Sequence, residues 1–179
     1  DACPFKTPHW QADHQAFFLQ GGIALSSTQR FITPQCSHGP LPYQDKQSGC
    51  VINADVYLTN RENLCAKLGS SLESSDAELI LEAYLRWGEA CPGFLAGHFS
   101  FMIWDPRFQH LFVAVDQFAH SPLFYRYEPG RYFLVANECS AFHALGSDLT
   151  LNARRLREFA KDVHSTTETA YEEIRKLPP

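Results

Sequence analysis

Cysteine and histidine are the residues of this chain best suited to nucleophilic or metal chemistry, and their spacing limits what they can do. The six cysteines contain no C-x-x-C pair and lie at Cys3, Cys36, Cys50, Cys65, Cys91 and Cys139. The eight histidines form neither an H-x-x-x-H nor an H-E-x-x-H pattern, so they do not have the spacing of paired zinc ligands. A disulfide framework would need closer spacing or a much smaller chain. We therefore interpret the cysteines as free thiols of a cytoplasmic protein and expect no metal site.

Charge and hydrophobicity argue against two classes of partner. A net charge of -5 with 15 scattered basic residues does not supply the clustered cations that bind nucleic acid. The densest basic group, Arg154, Arg155 and Arg157, is interpreted as the solvated face of a helix. No apolar run approaches the roughly 20 residues that span a membrane, and no signal-peptide pattern opens the chain. We expect one globular domain over residues 1–179, without nucleic-acid or membrane partners. A homo-oligomer is compatible with the sequence.

The first third of the chain predicts two strands after an irregular start. Residues 1–20 are polar and turn-rich, with Pro4 and Pro8 interrupting any helix. Segments 22–31 and 49–58 are rich in β-branched and aromatic residues, which favours strands.

Two helices are indicated by their capping residues. Thr59 with Glu62 and Ser75 with Glu78 both have capping-box spacing. Gly69 stands where a left-handed residue would end the first helix. The second helix is predicted to pack through one face before it ends at Gly88, and that face carries Ile80, Ala83, Tyr84 and Trp87.

The rest of the chain changes to the period of strands. Four short candidates are separated by turns, at 98–104, 110–116, 123–127 and 131–136. Two short helices should follow at 140–145 and 154–162, the second capped by Asn152. Consecutive strands with tight turns predict an α+β domain with a largely antiparallel sheet.

Several segments, in order along the chain, resemble the glutaminase domain of asparagine synthetases. Residues 74–105 contain S-S-D-A-E, an aliphatic helix, W-G and L-A-G-H-F-S-F-M-I-W-D, where that family has S-D-x-E, W-G and L-x-G-x-F-A-F-x-x-W-D. V-D-Q-F-A-H-S-P-L-F-Y at 115–125 resembles R-D-x-x-G-x-K-P-L-Y-Y, and V-A-N-E at 135–138 resembles A-S-E. I-R-K-L-P-P at 174–179 resembles I-R-x-L-P-P. Each motif alone is weak, but the ordered series from about Gly22 to Pro179 is specific.

The resemblance implies an N-terminal-nucleophile hydrolase-like αββα sandwich with mostly antiparallel sheets. In that family an N-terminal Cys thiolate attacks the glutamine amide, and its own α-amine serves as general base. The ammonia passes to a C-terminal synthetase domain that uses ATP and Mg. The resemblance therefore implies glutamine as ligand, the synthetase domain as partner and no cofactor in this domain.

The family's nucleophile has no counterpart at the start of this sequence. The family begins M-C-G-I, and Asp1 can be interpreted as the last letter of its later H-R-G-P-D motif. We therefore expect a fragment of a longer protein, incomplete at the N-terminus, with a synthetase domain downstream. Cys3 is a poor substitute, because it lies only 27 positions before Arg30. In the family, the nucleophile and the arginine that binds the α-carboxylate are farther apart. The 179-residue polypeptide alone is expected to lack glutaminase activity.

The resemblance places an oxyanion hole at Asn53 and Ala54. In the family an Asn side chain and the backbone N–H of a following Gly stabilise the tetrahedral intermediate. Ala54 keeps the N–H, and we expect its methyl group to crowd the space that Gly leaves open. The alternative is that Asn53 is a strand residue bonded to a neighbouring loop.

The resemblance assigns the two charged ends of glutamine to Asp76 and Arg30. Asp76 matches the S-D carboxylate that binds the α-ammonium, although an Asp in a first helical turn is favoured by the helix dipole anyway. Arg30 would bind the α-carboxylate. Strict alignment from Leu25 puts Gln29 there instead, and a one-residue shift turns a strand side chain to the other face. We further predict that Asn53 and Asp76 point into one common pocket.

Other departures from the family affect the pocket and leave the scaffold intact. The family's Arg, Gly and Lys around the R-D motif, and the histidine before the clamp arginine, are replaced by Val115, Ala119, Ser121 and Ser27. The scaffold residues that match are Phe99, Phe101, Trp104 and Tyr125. One hypothesis is a glutaminase-type domain of an ATP-dependent amide-forming enzyme, which releases ammonia from glutamine and passes it to the synthetase domain; the changes in the pocket favour a site that is degenerate in glutamine hydrolysis. The alternative is a non-catalytic scaffold, as in β-lactam synthetases and lasso-peptide cyclases. An unrelated ligand-binding α+β domain would require the motif series to be coincidence.

Overall fold

The computed structural model describes residues 12–31, 39–146 and 148–179. The chain divides after Asp116 into two compact units. Cys3 and Asp1, which entered the interpretation of the nucleophile, lie outside the described residues.

A β-hairpin opens the described part of the first unit. Strand β1 (His14–Gln20) pairs antiparallel with β2 (Ile23–Gln29) around Gly21 and Gly22. The prediction of β2 is confirmed, whereas the irregular segment predicted up to Gln20 is wrong for β1. Gly21 has φ 59°, and a two-residue Gly-Gly turn is a recognised hairpin signal that would have located β1. The polar residues and prolines that precede β1 led to the assignment of the whole segment as irregular.

The main sheet of the first unit has four strands: β3 (Tyr43–Gln44), β4 (Val51–Leu58), β5 (Gly97–Asp105) and β6 (His110–Val115). They lie in that order, and each neighbouring pair is antiparallel. The predicted strands at 49–58, 98–104 and 110–116 are therefore confirmed.

Helix α1 (Arg61–Leu68) and helix α2 (Asp76–Trp87) connect β4 to β5, followed by a 3₁₀ helix (Gly88–Phe94). The capping box of α2 is confirmed, because Ser75 Oγ accepts from Glu78 N and Glu78 Oε2 accepts from Ser75 N. The box predicted from Thr59 is wrong. Asn60 is the N-cap residue of α1, without a side-chain cap bond, because its amide bridges Phe94 O and Ala96 N instead.

The core of the first unit lies between α2 and the four-stranded sheet. Ile80, Ala83 and Tyr84 are buried in it, and Trp87 packs against it, which confirms the predicted packing face. From β4, Ile52 and Leu58 are buried there, with Ala54 and Val56 packed against them. Since every second residue of a strand faces the same side, the even-numbered residues of β4 all face α2.

The second unit contains the strands β7 (Phe124–Glu128), β8 (Tyr132–Ala136) and β9 (Arg175–Lys176), which form an antiparallel sheet in the order β8–β7–β9. Helices α3 (Ser140–Ala144) and α4 (Ala153–Phe159) follow β8. Asn152 caps α4 as predicted, since its Oδ1 accepts from Arg155 N at 3.0 Å.

The interpretation of the basic cluster on α4 needs correction. Arg154 and Arg157 are exposed, but Arg155 is 8 % exposed. Its guanidinium pairs with Glu158 and lies 3.9 Å from Glu168. Periodicity alone cannot distinguish a solvated arginine from one whose charge is neutralised under a neighbouring segment.

Every strand pair of the described residues is antiparallel, so the α+β class is confirmed. None of the helices in these residues combines the length and the apolar composition that a membrane-spanning segment requires.

Candidate functional site

Asn53 lies on the face of β4 opposite α2. Its even-numbered neighbours face the core, so alternation turns its side chain the other way. The amide Nδ2 donates to Ser26 O of β2 at 2.8 Å. Asn53 therefore connects the hairpin to the main sheet. This is a structural role like the alternative raised from the sequence, except that the partner is a strand and not a loop. An amide nitrogen has two N–H groups, so this bond leaves a second one for an oxyanion.

Ala54 does not crowd the site as expected from the sequence. Its methyl group packs against the core under α2, on the face away from the Asn53 side chain. In place of Gly, the methyl group fills core space and leaves the candidate oxyanion face unchanged.

The backbone N–H of Ala54 points to one edge of β4. Thr59 N donates to Ala96 O, which places odd-numbered β4 residues in the hydrogen-bonded pairs with β5. The even-numbered N–H groups therefore point to the other edge, where β3 pairs only with Val51 and Ile52. The Ala54 N–H lies beyond that pairing, as a backbone donor at the sheet edge.

Asp76, the first residue of α2, binds the same edge of β4. Its Oδ2 accepts from Leu58 N at 2.9 Å, and its Oδ1 forms an ion pair with Arg61 Nη1. Four residues of strand separate the Leu58 and Ala54 N–H groups, or about 13 Å. The structure thus aligns the Ala54 N–H and Asp76 along one edge, while the Asn53 amide faces Ser26. A pocket common to Asn53 and Asp76 stays a prediction.

Arg61 neutralises Asp76 from within the chain. Besides Asp76, its guanidinium donates through Nη2 to Ser74 O at 2.7 Å and to Leu72 O at 3.0 Å. The side chains of Arg61 and Asp76 are 21 % and 16 % exposed. Both oxygens of the Asp76 carboxylate therefore already have donors, and its negative charge has a partly buried counter-ion. Sequence reasoning missed Arg61 because the motif series does not include it.

Arg30 and Gln29 occupy different faces at the end of β2. Leu25 and Ser27 are buried and Gln29 is half-buried, whereas Arg30 is exposed. Gln29 Oε1 accepts from Leu41 N at 2.6 Å. The inner position thus holds Gln29, the residue that strict alignment selects, and the role of Arg30 as carboxylate clamp stays a prediction.

A buried polar cluster around Asp105 was not singled out from the sequence. Asp105 is fully buried and accepts from Arg107 Nη2 at 2.6 Å, Arg107 Nε at 2.9 Å and Tyr84 Oη at 3.2 Å. The hydrogen bonds from Arg107 lower the pKa of Asp105 to about 2. Burial, with the Asp105 charge next, raises the pKa of Tyr84 to about 12. With its oxygens bonded inside the fold, Asp105 fixes α2 to the turn after β5.

The described thiols are not activated. Cys50, Cys65 and Cys91 are buried and Cys139 is half-buried. Burial raises the pKa of all four, for Cys91 to about 12. A nucleophilic cysteine needs the opposite shift. In residues 12–31, 39–146 and 148–179, the His, Cys, Asp and Glu side chains form no cluster that could hold a metal ion.

Ala119 has backbone geometry that explains the family's glycine. Its φ is 47°, in the left-handed region that costs most residues about 1–2 kcal/mol. Ala119 is also buried. The scaffold keeps this conformation although the sequence no longer has the residue that adopts it freely.

Comparison with known proteins decides the family. A family model described as "Glutamine amidotransferase domain" matches residues 6–179. The chain belongs to this family. The amidotransferase domain is similar to amidase chry2 of Gibberella zeae, with 31 % identity over 162 residues, covering 88 % of the chain and 23 % of that protein. It is similar to asparagine synthetase [glutamine-hydrolyzing] 3 of Bacillus subtilis, with 35 % identity over 96 residues, covering 52 % of the chain and 16 % of that protein.

A solved structure confirms the fold. The glutamine phosphoribosylpyrophosphate amidotransferase of B. subtilis aligns with a TM-score of 0.56 and 19 % identity, over 73 % of this chain and 33 % of that one. The predicted N-terminal-nucleophile fold is thereby confirmed. The domain matches less than a quarter of the length of the two curated relatives.

Proposed function

We propose that this amidotransferase domain is part of an asparagine-synthetase-type, ATP-dependent amide-forming enzyme, and that its own glutamine site is degenerate. The observation that carries the second part is the engagement of Asp76 by Arg61 and Leu58 N. The names of the asparagine synthetase relatives support the first part.

The engagement of Asp76 disfavours a glutamine ammonium for an electrostatic reason. A carboxylate attracts an ammonium most when its charge is uncompensated and little exposed to water. Asp76 is little exposed, but a guanidinium already contacts it. An incoming ammonium must displace Arg61 or share the carboxylate with it, and either costs binding free energy.

The remaining assignments belong to the same proposal. Asn53 and the Ala54 N–H would be the remnant of the oxyanion hole, and Asp76 and Arg30 would stand at the positions of the glutamine ligands, with Asp76 now engaged by Arg61. ATP and Mg would bind a synthetase domain of the same protein, which would act in the cytoplasm.

The second candidate is a non-catalytic scaffold that stabilises an amide- or lactam-forming synthetase domain. It is favoured by Ala119, which is buried and holds a backbone conformation that glycine adopts freely. This feature keeps the shape of the domain without serving glutamine hydrolysis.

Glutamate release from glutamine by the intact protein tests the degenerate site. We expect release near background, unchanged in Asp76→Ala, because Asp76 already serves Arg61. The matched control is Glu73→Ala, which removes an exposed carboxylate from the same loop. Robust release that Asp76→Ala lowers by about 100-fold or more, and Glu73→Ala leaves alone, would show a live site.

A further inference from the structure

Three oxygen atoms converge on the guanidinium of Arg61. Asp76 Oδ1 supplies a charge, and Ser74 O and Leu72 O supply two backbone acceptors at 2.7 and 3.0 Å. All three belong to the segment that leads into α2. Both terminal nitrogens of Arg61 are used, and its side chain is only 21 % exposed. This is more partners than an ordinary surface ion pair has, since such pairs usually stand alone and contribute about 0–1 kcal/mol.

The backbone around Arg61 is held from two sides. Arg61 is the first residue of α1, and the preceding Asn60 is bonded to Phe94 O at 2.9 Å and to Ala96 N at 3.1 Å. Asp76 in turn is held by Leu58 N. The acceptor oxygens and the guanidinium therefore meet on backbone that is fixed independently of their own contact.

We propose that Arg61 is the internal occupant of a cation site formed by Asp76 Oδ1, Ser74 O and Leu72 O. Without the guanidinium, the site takes a free guanidinium or primary ammonium group, because an ammonium has three donors for these three acceptors. A tethered group competes at a high effective concentration, in the millimolar range or above. Arg61 thereby keeps a free amine out of the site, although the Asp76 carboxylate is still present. This inference rests on the proposed function where it takes the amine to be that of glutamine.

Chemical rescue of Arg61→Ala in the intact protein tests the site. The readout is the thermal unfolding midpoint with and without methylguanidinium chloride. Methylurea is the neutral control, and sodium chloride controls for ionic strength. Arg86→Ala is the matched variant, because it removes an exposed arginine from α2.

We expect Arg61→Ala to unfold at a lower temperature than the wild type, and methylguanidinium to raise its midpoint saturably by about 2–4 °C. Methylurea should not do so, and neither the wild type nor Arg86→Ala should respond. Arg61→Lys, which keeps a cation, should retain most of the wild-type midpoint. An Arg61→Ala protein recovered folded only in methylguanidinium supports the proposal equally.

Three results would overturn it: no rise with methylguanidinium, an equal rise in the wild type, or an Arg61→Ala protein that stays unfolded in the presence of the cation. Glutamine added to the same variants separates this inference from the proposed function. A wild-type protein stabilised by glutamine contradicts the degenerate site, whereas an Arg61→Ala protein indifferent to methylguanidinium contradicts the internal occupant.

Discussion

At the scale of single residues, two aspartates of the same motif region serve the fold in different surroundings. Asp105 is completely buried and bonded to Arg107 and Tyr84. Asp76 is little exposed and bonded to Arg61 and Leu58 N. The resemblance selected Asp76 as a ligand of glutamine, yet both carboxylates have their strongest partners inside the chain. Residue identity within a motif is therefore insufficient to assign a ligand role, because the partners come from residues outside the motif.

Replacement of Asp105 by Asn should destabilise the domain in a pH-dependent way. Loss of the charge weakens the bonds to Arg107 and Tyr84, and we expect a cost of about 1.5–3 kcal/mol in unfolding free energy near neutral pH. The folded pKa of Asp105, about 2, lies below the ordinary value of 3.8. Its stabilising contribution is therefore complete above the ordinary value and is lost as the pH falls towards 2.

Urea unfolding of wild type and Asp105→Asn between pH 7 and pH 2 measures this difference. The gap between the two proteins should shrink below about pH 4, because Asp105 becomes protonated in the unfolded wild type while it stays charged in the folded protein until about pH 2. Asp55→Asn, an exposed carboxylate on β4, controls for the charge change. A constant gap across the range would contradict the assigned role of Asp105.

At the scale of elements, the close approach of β4 and β5 requires a residue without a side chain at Gly97. Gly97 has φ 136°, and a Cβ atom there would lie 2.2 Å from Tyr57 O. Neither atom can move without disturbing the pairing of β4 with β5. The strand pair that carries Asn53 and Ala54 therefore depends on the absence of a side chain at Gly97.

Gly97→Ala should lower the unfolding free energy by about 3 kcal/mol or more, through steric strain and loss of pairing. Gly130→Ala is the control, because Gly130 has φ 74° and a Cβ atom there would meet nothing within 4 Å. The control should cost only about 1–2 kcal/mol, the conformational part alone. Equal losses in the two variants would show that the contact with Tyr57 O is relieved at little cost.

Local sequence signals located most elements and failed where a tertiary contact decided the outcome. Ser75 with Glu78 predicted the start of α2, because both halves of a capping box are local. Thr59 with Glu62 had the same spacing, but Asn60 is the N-cap residue and its amide is bonded to the segment before β5. The side to which Ala54 turns was available from the sequence, because the apolar residues Ile52, Ala54 and Val56 alternate with polar ones and share the core face.

The candidate site was predictable in part for the same reason. Asn53 and Asp76 could be located by motif, and the structure places the Ala54 N–H and Asp76 along one edge of β4. Arg61 could not be found this way, because its role depends on the fold of the segment from Leu72 to Asp76. The distinction between Gln29 and Arg30 required the face of β2, which a one-residue shift reverses.

At the scale of the whole molecule, the domain combines the scaffold of the family with a candidate ligand site whose carboxylate is paired inside the chain. The family match and the likeness to a solved amidotransferase confirm the scaffold. The internal pairing of Asp76 is the structural basis for the proposal that glutamine is no longer the preferred nitrogen source. In that proposal the domain contributes shape and stability to an amide-forming enzyme more than it contributes ammonia.

The most direct test of the degenerate site is ATP-to-AMP conversion by the intact protein, with aspartate as the carboxylate acceptor of an asparagine-forming ligase. Glutamine and ammonium are compared as nitrogen sources in the wild type, Asp76→Ala and Glu73→Ala. We predict that AMP forms with ammonium at least as fast as with glutamine, and that neither variant changes this ratio. A clear preference for glutamine that Asp76→Ala abolishes and Glu73→Ala retains would contradict the degenerate site, and no AMP with either source would contradict the asparagine-forming role.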